Sequence, residues 1–425
     1  MPKKETLKTG AEDGISGYTM KDSREKALVI CNVGFEDETR LEIEEILSCR
    51  IEPEMFQGIL IFDIDSRDDL AKITYESQTA IKTFLLSGRS DDGTDSLDYL
   101  SKMLCSERYR EFLGRPLKVF CKDVLTREEL ISSQKKDEDE EDKSKEGLHR
   151  SRIISFADSI SKAARENLSI ELKVSMNDFK TGLYLIQQSG TTFLGIDFSG
   201  KELSKRDYRI FCHKNSLNAT IASSLIYFSG ADQYLKKSAR KNPIVILDPF
   251  CGSGTIPIEF ALKFNRISPQ HFEEDKLAYR NFGIAVKDFD QEIEENESVR
   301  IIGFDNMLPN IKASQKNSKI ANINKFIEFS KVGTDWLDIK FSEKEVNMIV
   351  TDPPVIPKIG DEKEVLKSYK ELFYQAEYIL KKDGTVTIIS QSDRIKGFAE
   401  KFELVKEKEV FQGKQKMLVM QYRKK

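Results

Sequence analysis

At 425 residues the chain is long enough for two or three domains with full-sized cores. Charged residues make up 32% of it, yet the net charge is only −4, which excludes a global basic field and confines any polyanion site to a local patch. Six cysteines lie far apart with no C-x-x-C pair and the three histidines do not cluster near them, which argues against structural zinc and for reduced thiols. Residues 1–24 are polar and glycine-containing, without the apolar core of a signal peptide, and are expected to be a disordered tail. No apolar run reaches membrane-spanning length, so the expectation is a soluble cytoplasmic protein with no membrane partner and no metal.

ALVICNV, from Ala27, reads as a strand leading through Gly34 into a glutamate-rich helix, EDETRLEIEEILS. GILIFDI, residues 58–64, is a second strand, DDLAKITYES a helix, and PLKVFCKDV, residues 116–124, a further strand by its alternation. Residues 134–146, QKKDEDEEDKSKE, hold no apolar side chain and predict a solvated linker or loop insertion. RIISFADSISKAAREN resumes as a helix with Ile153, Ile154, Ala157, Ile160 and Ala164 on one face. SIELKVSM, GLYLIQQS and TTFLGIDFSG follow as short strands.

Residues 201–214, KELSKRDYRIFCHK, carry Lys201, Lys205, Arg206, Arg209 and Lys214 against Glu202 and Asp207, with Tyr208 and Phe211 among them. That mixture suits phosphates and unstacked bases, and equally an ordinary charged interdomain surface. NSLNATIASSLIYFSG is a helix with Asn215 or Ser216 as N-cap and Leu217, Ile221, Leu225 and Phe228 on one face, packing on the sheet that follows. From Lys241 onward strands alternate with helices, the pattern of a doubly wound sheet: IVIL, VRIIGF, FIEFSK, NMIVT, TVTIIS, and then ELVKEKEVF and KMLVMQY as a closing hairpin around Gln412 and Gly413. Residues 265–298 are a long polar connection without catalytic signals.

Two stretches of this half carry chemistry. In KNPIVILDPFCGSGTIPIEF, residues 241–260, Asp248 closes a buried strand, and Gly252 and Gly254 bracket a turn where backbone can approach a ligand at a helix N-terminus. In MIVTDPPV, residues 348–355, another apolar strand ends in Asp352 followed by Pro353 and Pro354. Asp305 ends VRIIGFD, where a carboxylate can accept ribose hydroxyls, cap the next helix, or both.

DPFCGSGT resembles the cofactor motif of class I methyltransferases that use S-adenosyl-L-methionine. TDPP resembles the (Asp/Asn)-Pro-Pro-aromatic motif of those that methylate an exocyclic amino nitrogen. From Ala27 onward the chain is similar to RNA methyltransferases that carry a THUMP domain, most specifically in Gly200, Leu203, Lys205, Arg206, Tyr208, Arg209 and Ala222. The resemblance implies an α/β fold: a C-terminal Rossmann-like domain with a seven-stranded, mostly parallel sheet, behind an N-terminal α/β, ferredoxin-like plus THUMP, RNA-binding region. It implies boundaries at 25–131 for the ferredoxin-like region and the start of THUMP, 132–149 for a charged linker or insertion, 150–205 for the rest of THUMP, and 206–425 for the catalytic domain. The implied activity is methyl transfer from S-adenosyl-L-methionine to guanine N2 of a tRNA. Asp248, Gly252, Gly254, Asp305, Asp335 and Thr220 would then bind the cofactor, Lys205, Arg206 and Arg209 the RNA, and Asp352, Pro353 and Pro354 would aim the target nitrogen. Val355 stands where the motif has an aromatic ring; Tyr369, Phe373 and Tyr374 are the rings that could replace it. A ribosomal RNA substrate, DNA adenine, and a non-catalytic RNA-binding subunit are the rival readings, DNA being disfavoured by the resemblance of the N-terminal half to an RNA-binding module.

Overall fold

Period-two alternation in the first half places two sets of side chains on opposite faces of one sheet. In the computed structural model, which describes residues 24–91, 96–133, 138–213, 216–235, 243–285, 297–357 and 362–425, this sheet has seven strands. They are β1 Glu25–Ile30, β2 Glu54–Phe56, β3 Ile59–Ile64, β4 Lys82–Ser90, β5 Leu117–Asp123, β6 Thr181–Gln188 and β7 Thr191–Asp197, in the order β2-β3-β1-β4-β7-β6-β5. Ala27, Val29, Leu60, Phe62, Leu183, Leu185, Leu194 and Ile196 face a helical layer and form the larger core. Leu28, Ile30, Ile59, Ile61, Phe84, Ile186 and Phe193 make a second cluster on the opposite face.

The helical layer differs from expectation in two ways. The helix expected from Arg152 begins at Glu138 and runs to Leu168, so much of the apolar-free stretch is helical; residues 134–137 and, of the expected tail 1–24, all but residue 24 lie outside the described residues. Glu and Lys are good helix formers, and a helix anchored by packing at one end propagates at little cost. Its buried face is Phe156, Ile160, Ala163, Ala164 and Leu168, while Ile154 is 55% exposed. SIELKVSM forms no strand: only Val174 bridges to Leu117.

The second sheet holds β8 Ile244–Asp248, β9 Val299–Asp305, β10 Ile327–Lys331, β11 Val346–Thr351, β12 Leu380–Ser390, β13 Phe402–Gln412 and β14 Gln415–Lys424. Its order is β10-β9-β8-β11-β12-β14-β13, parallel from β10 to β12 and antiparallel in the closing hairpin, as the alternation of strands and helices predicted. Strands buried on both faces need near-continuous apolar runs. Ile244 and Ile246 point to a core shared with helices Ala219–Ser229 and Thr255–Phe264, and Val245 and Leu247 to one shared with helix Lys363–Ile379. Helix Ala219–Ser229 has Asn218 at its N-cap, two residues after Ser216, the later of the two candidates; Asn215 lies outside the described residues. The first described part of the 265–298 connection is more than a spacer: Leu277 and Tyr279 are buried in the core of the first sheet, with Phe282 and Ile284 packed against it.

Candidate active site

Parallel strands in register deliver their C-terminal residues to one edge. Asp248 ends β8, Asp305 ends β9 with Lys331 of β10 paired beside it, and Asp352 follows β11, so three carboxyls open on the same edge. Between Asp248 and the helix Thr255–Phe264 runs the glycine turn. Gly252 has φ 52° and Gly254 φ 87°, the left-handed region that favours glycine. A Cβ on Gly254 would lie 2.7 Å from Ser314 Cβ, whereas one on Gly252 would meet nothing within 4 Å. Gly254 is therefore demanded by packing, and Gly252 leaves open space beside the acids.

Hydrogen bonds aim the acids. Asp248 is buried, and its Oδ1 accepts from the Phe250 amide (3.2 Å) and from Thr351 Oγ1 (2.6 Å). Asp305 Oδ2 accepts from the Gly252 amide (3.1 Å), while its Oδ1 accepts from the Met307 amide (2.8 Å) and Asn310 Nδ2 (3.0 Å), which ties the turn to the start of the next helix. Burial pushes the Asp248 carboxyl up to about 7, against the lowering effect of its two donors and with some help from the Asp305 charge. Asp352 keeps part of its surface open to solvent; even so, burial in the cleft and then the Asp248 charge push its carboxyl up to about 8.

The loop after Asp352 is pinned from below. Tyr369, fully buried in helix Lys363–Ile379, donates its hydroxyl to the Pro354 carbonyl at 2.5 Å. That removes Tyr369 as a replacement ring, and Phe373 lies in the core beside it. Tyr374 is 67% exposed but sits five residues after Tyr369, about 140° round the helix. Val355 itself is 39% exposed.

The remaining sequence-derived residues divide. Asp335 is exposed on the loop that leaves the C-terminal end of β10, its carboxylate folded back over Gly333. Thr220 has no exposed surface, and its Oγ1 accepts from Asn32 Nδ2 of the first half at 2.9 Å, so it joins the two halves rather than lining the cleft. Lys205 is exposed and near Glu202. Arg206 is no surface residue: its guanidinium is fully buried, 3.1 Å from Glu259, and also bonds the Gln78 and Leu203 carbonyls. A charge buried among apolar side chains needs such a partner. Arg209 is half-buried, with one terminal nitrogen on the Leu217 carbonyl and its Nε without a hydrogen-bond partner. Three contributors were not found from sequence. Thr351 was visible as the hydroxyl preceding Asp352, and Asn310 as a polar residue five places after Asp305. Asn317 had no local signal; it bonds Phe211 in both directions (3.0 and 3.1 Å) and the Ser253 carbonyl (3.0 Å).

Among the described residues no cluster of His, Cys, Asp or Glu is arranged to hold a metal, and no helix is long and apolar enough to cross a membrane. Solved structures share the fold. SMU.472, described as a methyltransferase and crystallised with SAH, superposes with TM-score 0.72 at 17% identity over 95% of this chain and 99% of its own. TrmN from Thermus thermophilus superposes with TM-score 0.64 at 16% identity, over 94% and 100%. A tRNA (guanine(6)-N2)-methyltransferase of Methanocaldococcus jannaschii is 34% identical over 244 residues, 56% of this chain and 61% of that one. The ribosomal RNA large subunit methyltransferase K/L of Shewanella frigidimarina is 29% identical over 206 residues, 46% of this chain and 27% of that one. The chain thus spans less than two thirds of the length of these relatives. Its own glycine turn, strand-end acids and Asp-Pro-Pro loop all fall within residues 206–421, which match the RMKL-like methyltransferase domain, and by that match over half its length the chain belongs to this family.

Proposed function

We propose that the chain transfers a methyl group from S-adenosyl-L-methionine to the exocyclic N2 of a guanosine in tRNA. The observation that carries the reading is the pairing of the glycine turn, with its open space and flanking carboxyls, and an Asp-Pro-Pro loop held at Pro354 by a buried tyrosine. Carboxyls at 248 and 352 suit a ligand that carries an ammonium and a sulfonium, and the Gly252 position leaves room for it. S-adenosyl-L-methionine, when bound, supplies an electrophilic methyl group.

The chain's own residues have three tasks. Asp248, Asp305 and the amides of the turn would hold the cofactor, with Asp335, once turned away from Gly333, as the acid for its base. The Asp352 carboxylate and the Pro353 carbonyl would accept the two N–H groups of guanine N2, turning its lone pair toward the methyl group. The prolines and the Tyr369 hydroxyl keep those acceptors aimed. Lys205 and Arg209 remain RNA candidates from the basic segment; Arg206 is not one. The N-terminal half, read as THUMP-bearing, would deliver the RNA, and a cytoplasmic location fits that substrate. The tRNA assignment is favoured by the 34% identity to an archaeal enzyme of that name, and ribosomal RNA is the second reading because of the K/L relatives.

The test is methyl transfer from labelled cofactor to total unmodified tRNA, followed by nucleoside analysis. Label in N2-methylguanosine is expected. Label only when ribosomal RNA is offered would move the substrate, and no label with either RNA, while cofactor still binds, would overturn the enzymatic reading.

A further inference from the structure

A ladder of aromatic rings crosses the first sheet on the face opposite its main helical layer. Phe120 of β5, the edge strand, stacks on Tyr184 of β6 with centroids 4.5 Å apart and planes 14° from parallel. Inward, Tyr184 meets the fully buried Phe84 at 5.1 Å; outward, Phe179 meets Phe120 edge-on at 5.6 Å. The three outer rings are only half-buried, and Met176 beside them is 68% exposed.

Cations frame the outer end. Lys118 Nζ lies 5.0 Å and 5.4 Å from the Phe120 and Phe179 centroids and donates to the Met176 carbonyl at 3.0 Å. Lys173 and Lys180 are exposed at the same corner, held there by backbone bonds from Leu117 to Lys173 and from Lys180 to Pro116. Among the described residues none of these three lysines pairs with a carboxylate, and the acids on the same segment are Glu171 and Asp178. An acid-binding protein surface needs only the charge. Half-buried rings framed by ammonium groups without carboxylate partners match a partner that offers both anions and flat π-systems.

We propose that this corner of the β5–β6 edge binds unpaired nucleotides, with a base stacking on Phe179, the outermost ring, and phosphates on Lys118, Lys173 and Lys180. The proposal rests on the reading of the chain as acting on RNA. The corner is also mounted on the catalytic half: Asn281 Nδ2 donates to the Lys180 carbonyl at 3.1 Å, and Phe282 packs against Phe112 at 4.7 Å and Phe198 at 5.4 Å. Residues from the connection between β8 and β9 therefore hold the platform at a set distance from the cleft.

The test uses the full chain and a fluorescein-labelled single-stranded oligouridylate of about 12 nucleotides, with a duplex of equal length and polyglutamate as comparisons. Phe179→Ala should weaken single-strand binding by about 5- to 150-fold, the worth of one stacked base. Phe179→Trp should keep it, and Lys118→Gln and Lys180→Gln should each flatten the dependence of log affinity on log salt by about 0.7. Cofactor affinity by calorimetry should stay unchanged in all four, which also certifies their folding. Wild-type binding by Phe179→Ala with unchanged salt slopes, equal affinity for duplex, or polyglutamate binding weakened equally by Phe179→Ala would overturn the proposal, the last in favour of an acidic protein partner. Binding is read without methyl transfer, so a chain that loses oligouridylate with Phe179→Ala yet methylates no RNA sinks the enzymatic reading alone. Normal transfer with unchanged binding sinks only the platform.

Discussion

Asp248 and Asp352 are carboxyls that the fold keeps near neutrality, and that has opposite consequences for stability and for chemistry. An acid raised to about 7 when folded, against about 4 when unfolded, costs nothing below pH 4 and its full amount above about pH 7. Asp248→Asn keeps the Oδ1 acceptor for Thr351 and the Phe250 amide while removing the charge. The variant should gain stability as pH rises from 4 to 7, by at most about 4 kcal/mol, while losing cofactor affinity. Urea melts at pH 4.5 and 8 would show this, and equal midpoints for both proteins at pH 8 would refute it. Asp352 accepts an N–H most strongly when ionised, so kcat/KM should climb between pH 6 and about 8.5 and then level, with apparent values belonging to the acid pair. Asp352→Asn, which keeps an acceptor oxygen, should flatten that climb, and Asp352→Ala should lower kcat at least about 100-fold. An unchanged profile in Asp352→Asn would remove Asp352 from the reaction. Both acids were legible in the sequence because a buried strand followed by an acid and a small or cyclic residue is a local pattern. Arg206 was misread for the opposite reason: its partners Glu259 and Gln78 lie 53 and 128 residues away, and no window of sequence contains them.

The glycine turn separates packing from function within one element. Gly254→Ala forces a Cβ to within 2.7 Å of Ser314 Cβ at φ 87° and should destabilise the chain by about 2 kcal/mol or more. Gly252→Ala meets open space at φ 52° and should cost only about 1 kcal/mol, but its methyl group enters the proposed cofactor space. Thermal unfolding and cofactor calorimetry on the two variants should therefore rank them in opposite orders: Gly254→Ala less stable, Gly252→Ala weaker in binding for its loss of stability. The same order in both measurements would mean the turn has one role only. At this scale the second sheet was legible strand by strand, most plainly in β8 and β11, where burial on both faces leaves unbroken apolar runs. The errors fell where local composition loses to context. The helix from Glu138 is carried through a polar stretch by its packed C-terminal half, and Leu117 captures SIELKVSM at one bridge instead of a ladder.

Across the whole molecule one of the links between the two halves is a buried carboxylate. Glu259 has no exposed surface and lies on the helix that the glycine turn opens. It accepts from Arg206 Nε (3.1 Å), the Tyr208 hydroxyl (2.7 Å), Ser223 Oγ (2.6 Å) and Gln78 Nε2 (2.7 Å), the last from the N-terminal half. Leu277 and Tyr279, from the catalytic half, complete the other core. The halves should accordingly unfold together, and a fragment beginning near residue 206 should lose solubility because it bares Leu277 and Tyr279. Arg206→Met leaves that carboxylate buried without its cation and should cost about 3–5 kcal/mol; pairing it with Glu259→Met should recover part of the loss, because the stranded charge is gone. Urea denaturation measures both, and a single transition is expected in each. RNA affinity at low temperature, where Arg206→Met is still folded, should equal that of the wild-type chain. A fall in RNA affinity at unchanged stability would return Arg206 to the RNA surface and would require the two halves to part there when RNA binds, against the hydrogen bonds from Arg206 to the Gln78 carbonyl and from Gln78 to Glu259.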